Sequence, residues 1–290
     1  MLSKIVLLLI FLFNVLNYVD GTMGDTFYVS FNEESFDQGE WIEASKEGLP
    51  EMKELTLCHW EWINSFNQRS SNVWSYCVKI SEDDDEISCF QYFVQVDPTS
   101  HQGGKNFEFF LEFQKGSSLS SVKIKMTDYE ERQWNHVCWR ANAQGKNQYI
   151  LNGEIKLEFE NKLVVLSSQT RNISSFSIGQ EPDSLRGSFN DLQAFQGRIA
   201  DVNLYNYSLT DEEIGKAVNC EEFKEGNILQ WHIDGWIFHE TTTKVVKQKE
   251  FCQKQEKIFL FPVPMYFNDA KMIWRRLICS GKQKREWKVG

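Results

Sequence analysis

The chain has 290 residues, 14% aromatic and only five of them proline, a composition that supports a packed core and excludes a disordered polymer. Its formal charge is −10, which argues against nucleic acid as a partner. The charge is uneven, because residues 241–290 hold 12 Lys and Arg against 4 Asp and Glu, and residues 1–240 hold 19 against 37.

Residues 1–21 open with Lys4, run apolar from Ile5 to Leu16 and end at Gly21. That is the form of a secretory signal peptide, and the run falls short of the ~20 apolar residues a membrane span needs. A secreted, extracellular product is expected, in a compartment where thiols oxidise. Strands are predicted over Thr26–Phe31, Leu55–Phe66, Val73–Ile80, Ile87–Val96, Asn106–Phe113, Val122–Met126, His136–Arg140, Gln148–Leu151 and Ile173–Gly179. Turn residues such as Asp97-Pro98, Gln102-Gly103-Gly104 and Asn152-Gly153 separate them. So many short strands predict an all-β, antiparallel two-sheet jelly-roll sandwich.

One helix interrupts this pattern. Thr210-Asp211-Glu212-Glu213 has the form of a capping box and predicts a short helix over Asp211–Val218. Asn227–Ile233 is predicted as a closing strand, with the compact domain covering 22–240 and a basic tail covering 241–290.

Several stretches, in order, resemble the pentraxin family. They are Asp25–Ser30, Leu55–Cys58, Trp134-Asn135-His136-Val137-Cys138, the run from Ile178-Gly179-Gln180-Glu181 through Gly197–Asp201 to Leu209–Ile214, and Gly226–Trp231. After the signature cysteine this chain departs from the family, reading Trp139-Arg140-Ala141. The resemblance implies a concanavalin- or laminin-G-like sandwich, and it pairs Cys58 with Cys138 across the sandwich. Cys77 and Cys89 flank the acidic turn Glu82–Glu86 and are placed to bridge adjacent strands. Cys220, Cys252 and Cys279 remain, so one is free or pairs with another chain.

The resemblance also implies a calcium site. An acidic pair meets a Glu-x-Asp segment and a downstream Gln, and together they hold two Ca2+ ions. Here the pair is Asp84-Asp85, the segment Glu181-Pro182-Asp183 and the amide Gln193. Calcium takes six to eight oxygens and accepts carbonyls as readily as carboxylates, so the Pro182 carbonyl also qualifies. Asn190 stands where the family usually shows an acid, which weakens the second ion's cage. Asp191 lies beside it. Phe90 falls where the family places an apolar wall next to the calcium.

Asn172 and Asn206 head glycosylation motifs. The five histidines lack zinc-ligand spacing, and His59 and His136 are read as packing residues. Within the tail, Lys257–Lys271 weakly resembles the start of a C-type-lectin-like domain.

The leading expectation is a non-enzymatic pattern-recognition protein of innate-immune type. It would bind phosphate- or carboxylate-bearing lipids or glycans and form a cyclic homo-oligomer, commonly a pentamer in the family. The alternative is a pentraxin- or laminin-G-like interaction module of a truncated receptor or adhesion protein. A glycosidase on the same architecture needs two flanking carboxylates. Here Asp183 is followed by Ser184-Leu185-Arg186-Gly187, without the second Glu.

Overall fold

Alternation of side chains along each strand sorts the residues into a face that meets the opposite sheet and a face that does not. The computed structural model describes residues 27–32, 39–46, 48, 50, 52–64, 70–79, 87–96, 107–115, 118–126, 129–160, 174–185, 187–221, 224–232, 235–239 and 244–247. The expected leader, Asp84, Asp85, Asn172 and the tail beyond residue 247 lie outside them.

The first sheet, sheet A, has the order β10 (Glu154–Glu160), β9 (Lys146–Leu151), β8 (Asn135–Ala141), β3 (Leu55–Ile63), β14 (Gly197–Tyr205), β1 (Phe27–Phe31) and β16 (Lys244–Lys247). The second, sheet B, runs β15 (Trp236–His239), β2 (Trp41–Ala44), β11 (Ser174–Ile178), β4 (Ser71–Lys79), β5 (Ile87–Val96), β6 (Phe107–Lys115) and β7 (Ser118–Met126). All pairings are antiparallel. A hairpin of β12 (Pro182–Ser184) and β13 (Gly187–Phe189) stands apart from both. This is the expected jelly-roll sandwich.

Aromatic rings fill the space between the sheets. Phe90 packs against Trp74 at 4.9 Å and Trp139 at 4.0 Å, joining strands of opposite sheets. Each such ring contributes about 1.5–3 kcal/mol through burial.

The core also holds an unexpected polar group. Cys58-His59-Trp60-Glu61-Trp62 alternates, and the choice falls against the tryptophans: His59 and Glu61 point inward and are 1% and 0% exposed. The Tyr129 hydroxyl donates to Glu61 at 2.9 Å and the Tyr92 hydroxyl reaches it at 3.4 Å. His59 Nε2 lies 3.2 Å from the other carboxylate oxygen, and Tyr149 shares a hydrogen bond with Tyr92 at 3.0 Å. Burial first, and then the Glu61 charge, hold all three phenols well above their ordinary pKa, so they remain donors.

Two expected disulfides are present, Cys58–Cys138 and Cys77–Cys89. The first corrects the expectation of a bridge across the sandwich. Cys58 and Cys138 are directly opposite on neighbouring strands β3 and β8. They lie on the outer face of sheet A with Ile150, Tyr205, Leu209 and Ile214. His136 is the third member of this group, but both cysteine sulfurs are bonded to each other, so the trio is no metal site. Burial holds the His136 imidazole neutral, its pKa lowered to about 3. Cys220 is also disulfide-bonded, to a partner outside the described residues.

The helix α1 covers Asp211–Val218 as expected, with the Thr210 side chain accepting from Glu213 N and Glu213 reaching back to Thr210 N. Two other expectations shift. Asn227–Ile233 contributes an isolated bridge, Leu204 to Leu229, instead of a strand. Sheet A meanwhile extends past the expected boundary near residue 240, because β16 pairs with β1.

Removing one member of a buried charged network strands the others. Glu61→Ala should therefore cost about 3–5 kcal/mol in urea unfolding, while His59→Leu with Glu61→Leu should recover most of that loss. Equal destabilisation by the single and double variants would show that the cluster is not coupled.

Candidate metal centre

The site is built on the segment that leaves β11. Gly179 adopts φ +103, and a side chain there would meet the Glu40 carbonyl at 2.8 Å and the Phe31 ring at 2.9 Å, so glycine is required. Phe195 N donates to the Gly179 carbonyl at 2.9 Å, and Asn32 Nδ2 donates to the Phe195 carbonyl at 2.7 Å. These bonds pin both ends of Gly179–Phe195 to one point at the edge of the core. Between the pins run the hairpin β12–β13, with Pro182 opposite Phe189 and Ser184 opposite Gly187, and a 3-10 turn at Asp191–Gln193.

The hairpin lies against the outer face of sheet B. Leu185, at its turn, packs on Cys77, Ile87 and Cys89. The Cys77–Cys89 bridge joins β4 and β5 at directly opposed positions, so it presents a fixed apolar seat for that turn. Beside this seat Gln91 Nε2 donates to Ser75 Oγ at 3.2 Å, and Ser75 Oγ to Asn72 Oδ1 at 3.1 Å. These three residues are buried and form a polar floor.

The segment brings Glu181, Asp183 and Gln193 together. Glu181 is half-buried, and its carboxyl is pushed up to about 7 by burial, then by the neighbouring Asp183 and Glu112 carboxylates. A hydrogen bond from the Gln193 side chain opposes that rise. Glu112, on β6, is likewise raised by burial. Among the described residues neither Glu181 nor Glu112 has an ion-pair partner. Pro182 is buried and Asp183 exposed. Gln180, next to Glu181, is 0% exposed, and both its amide atoms lack a hydrogen-bond partner. A buried polar group left so costs about 1–3 kcal/mol.

Asn190 is exposed, and its side-chain oxygen accepts from Leu192 N at 3.1 Å. That oxygen is already engaged in a local turn. Asp84 and Asp85 lie outside the described residues, although the Cys77–Cys89 bridge sits at the strand ends that lead into their turn. Phe90 requires a correction. It is 2% exposed and wedged between Trp74 and Trp139, so it presents no wall to a ligand. Alternation gives the reason: Cys89 faces outward to Leu185, and the next residue must face inward.

The donor set consists of hard oxygens, and among the described residues no ion pair neutralises Glu181 or Glu112. It fits a divalent ion such as Ca2+, which prefers such oxygens.

The raised Glu181 carboxyl makes the metal-free protein sensitive to pH. The folded state binds the Glu181 proton more tightly than the unfolded state, so this contribution to stability is largest below pH 4.5 and is lost as pH rises towards 7. Thermal melts in chelator should show that decline for the native chain and a flatter profile for Glu181→Gln. A second expectation concerns the seat: Cys77→Ser with Cys89→Ser should loosen the hairpin and lower metal affinity in calorimetric titration.

The Pentaxin family model matches residues 29–243. C-reactive protein of Xenopus laevis is 31% identical over 133 residues, covering 42% of this chain and 53% of that protein. The neuronal pentraxin receptor of Homo sapiens is 24% identical over 188 residues, covering 64% of this chain and 33% of that protein. This chain therefore spans about half or less of the length of these two relatives. A native heptameric SAP-like pentraxin from Limulus polyphemus shares the fold, with a TM-score of 0.59 and 20% identity over 79% of this chain and 98% of that one. With most of its length matched by the model, the chain belongs to the Pentaxin family.

Proposed function

We propose that this chain is a secreted, non-catalytic binding protein that grips anionic ligands through protein-held calcium. The observation that carries this reading is the gathering of Glu181, Asp183 and the Gln193 amide on one pinned segment, with no cation among the described residues to neutralise them. A site arranged this way is electrostatically strained until a dication enters. Asp84, Asp85 and the Pro182 carbonyl complete the proposed cage, with Asn190 as the weaker contributor to a second ion. A calcium ion exposed on this side would in turn coordinate phosphate or carboxylate oxygens of lipids or glycans.

Secretion agrees with the leader and with three disulfides. No helix among the described residues is long and apolar enough to cross a membrane. Asn206 is exposed, and its side-chain oxygen accepts from Asn227 at 2.7 Å, so it stays a proposed glycosylation site together with Asn172. A ring-shaped homo-oligomer is proposed from the family, whose Limulus member is heptameric by name.

A second reading is an interaction module of a longer receptor. It draws support from the basic tail and from the match to one third of the neuronal pentraxin receptor. Light scattering after size exclusion separates the two: a closed ring favours the first, a monomer the second.

Calcium titration of chelator-treated protein should release or absorb heat and raise the melting temperature. Retention on phosphocholine, phosphoethanolamine or acidic-sugar resin should then be reversed by chelator. A melting temperature indifferent to calcium would end the proposal.

A further inference from the structure

The outer face of sheet A carries two apolar groups. One lies beneath α1 around the Cys58–Cys138 bridge. In the other, nearer the β1 edge, Tyr28 of β1, Trp60 of β3 and Ala200 of β14 pack with Trp134 and Cys220. Parity turns the three strand residues outward, because Val29, Glu61 and Ile199 beside them face the core. Arg198 lies over the Tyr28 ring at 5.1 Å and the Trp62 ring at 5.3 Å, and Trp134 meets Tyr28 edge-on at 5.6 Å. Tryptophan, tyrosine and arginine gathered in this way are the residues that dominate contact surfaces.

Cys220 is held at the rim of this patch by the end of α1. Cys220 N donates to the Ala217 carbonyl at 3.1 Å and Glu221 N to the Lys216 carbonyl at 2.9 Å, with Cys220 in left-handed backbone at φ +53. That is the position a helix end normally gives to glycine. A cysteine stands there instead, and it is disulfide-bonded. Four of the other six cysteines pair with each other, which leaves Cys252 and Cys279 within the chain.

The course of β16 separates these two. Val246 lies opposite Tyr28 and Lys247 opposite Phe27, so the chain leaves sheet A beside the patch. Tyr28 is in turn opposite Ala200, so two strand spacings, about 10 Å, lie between Val246 and the far side of the group. Cys252 follows Lys247 by five residues, a reach of about 17 Å. Cys279 follows by 32, and closing that longer loop costs more conformational entropy. Cys252 also belongs to the compact unit Met1–Lys254 that contains Cys220, whereas Cys279 belongs to Gln255–Gly290.

We propose that the patch of Tyr28, Trp60, Trp134 and Arg198 is the docking surface for residues 248–254 of this same chain, locked there by a Cys220–Cys252 bond. The segment has the matching chemistry: Glu250 offers a carboxylate to Arg198, Phe251 a ring to the tryptophans and Cys252 the thiol. The bond joins the two Sγ atoms, and their two protons and two electrons pass to a disulfide-bearing oxidant of the secretory compartment, which is reduced to a dithiol. The lock keeps β16 on β1, whose edge would otherwise stand open. It acts on the face opposite the β12–β13 hairpin and does not depend on calcium.

The test maps the bonds of the full secreted chain. Thiols are alkylated before denaturation, and the chain is cut with trypsin without reduction. Residues 217–224 should be recovered bonded to residues 250–254. Their recovery bonded to residues 277–282, or alkylated and alone, would overturn the proposal. In a Cys279→Ser chain the same pair should come from a single-chain band on a non-reducing gel; its presence in a dimer band alone would make the occupant a second copy and end the proposal. Melting is the independent measure. Cys220→Ser and Cys252→Ser should each lower the melting temperature by about 10 °C, the double variant no further, while Cys279→Ser keeps the native value. Trypsin should also cut the folded chain at Lys249 faster in Cys252→Ser than in the native protein, and equal cutting would show that the segment is not docked.

Discussion

Oxygen ligands that come from loops are useful only if something holds the loops still. Here the holding is done at two points: Phe195 N–H on the Gly179 carbonyl closes the root of the segment, and Leu185 on the Cys77–Cys89 bridge seats its turn. Neither contact involves a charged group, so neither is weakened when the carboxylates repel. The disulfide matters less for its loop entropy, small for a separation of 12 residues, than for presenting two sulfurs at a fixed place on the outer face.

Two glutamates show how neighbours decide what a removed charge can do. Glu61 is completely buried, yet it receives Tyr129 and Tyr92 hydroxyls and sits against His59, so its oxygens are satisfied from inside the fold. Glu181 is only half-buried, but its neighbours are Asp183 and Glu112, with the Gln193 side chain as its hydrogen-bond partner. The first is a network in which the Glu61 carboxylate has its donors, although His59 Nδ1 is left without a partner. The second has like charges beside it, which the proposed dication would offset. Unsatisfied Gln180 beside it points the same way: this segment is not arranged for the greatest stability in isolation.

Much of the fold was legible because local chemistry and global fold agreed. The capping box located α1 to the residue, and aromatic-rich runs located β3 to β6, although the long strand β14 was not predicted. What was missed is either exposed or non-local. β10, Glu154–Glu160, is a largely exposed edge strand that does alternate, with Ile155, Leu157 and Phe159 set between charged residues, and the reading passed over it. β12 and β13 have three residues each and exist because the hairpin docks on sheet B. His59 and Glu61 defeated the ordinary preference that Trp60 and Trp62 go inward, because three tyrosines from other strands and turns were waiting with hydroxyls. At the candidate site, the Glu-x-Asp spacing and Gln193 could be read directly, whereas placing Phe90 needed the strand's parity.

The two outer faces of the sandwich differ in character, and that contrast supports placing the proposed ligand on sheet B. On sheet A, α1 buries Ile214 with Leu209, Ile150 and the Cys58–Cys138 bridge, while Arg140 donates to the Leu209 carbonyl at 2.7 Å and pairs with Asp211 at the helix start. Arg140 is part of the departure from the family signature, and it closes this face. On sheet B the cover is a short hairpin whose apolar seat is Leu185, flanked by Glu181, Asp183, Glu112 and the Gln91–Ser75–Asn72 floor. A closed apolar face offers an ion nothing. A polar face that gathers carboxylates suits the proposed dication, and an ion bound there would reverse the local field towards anions.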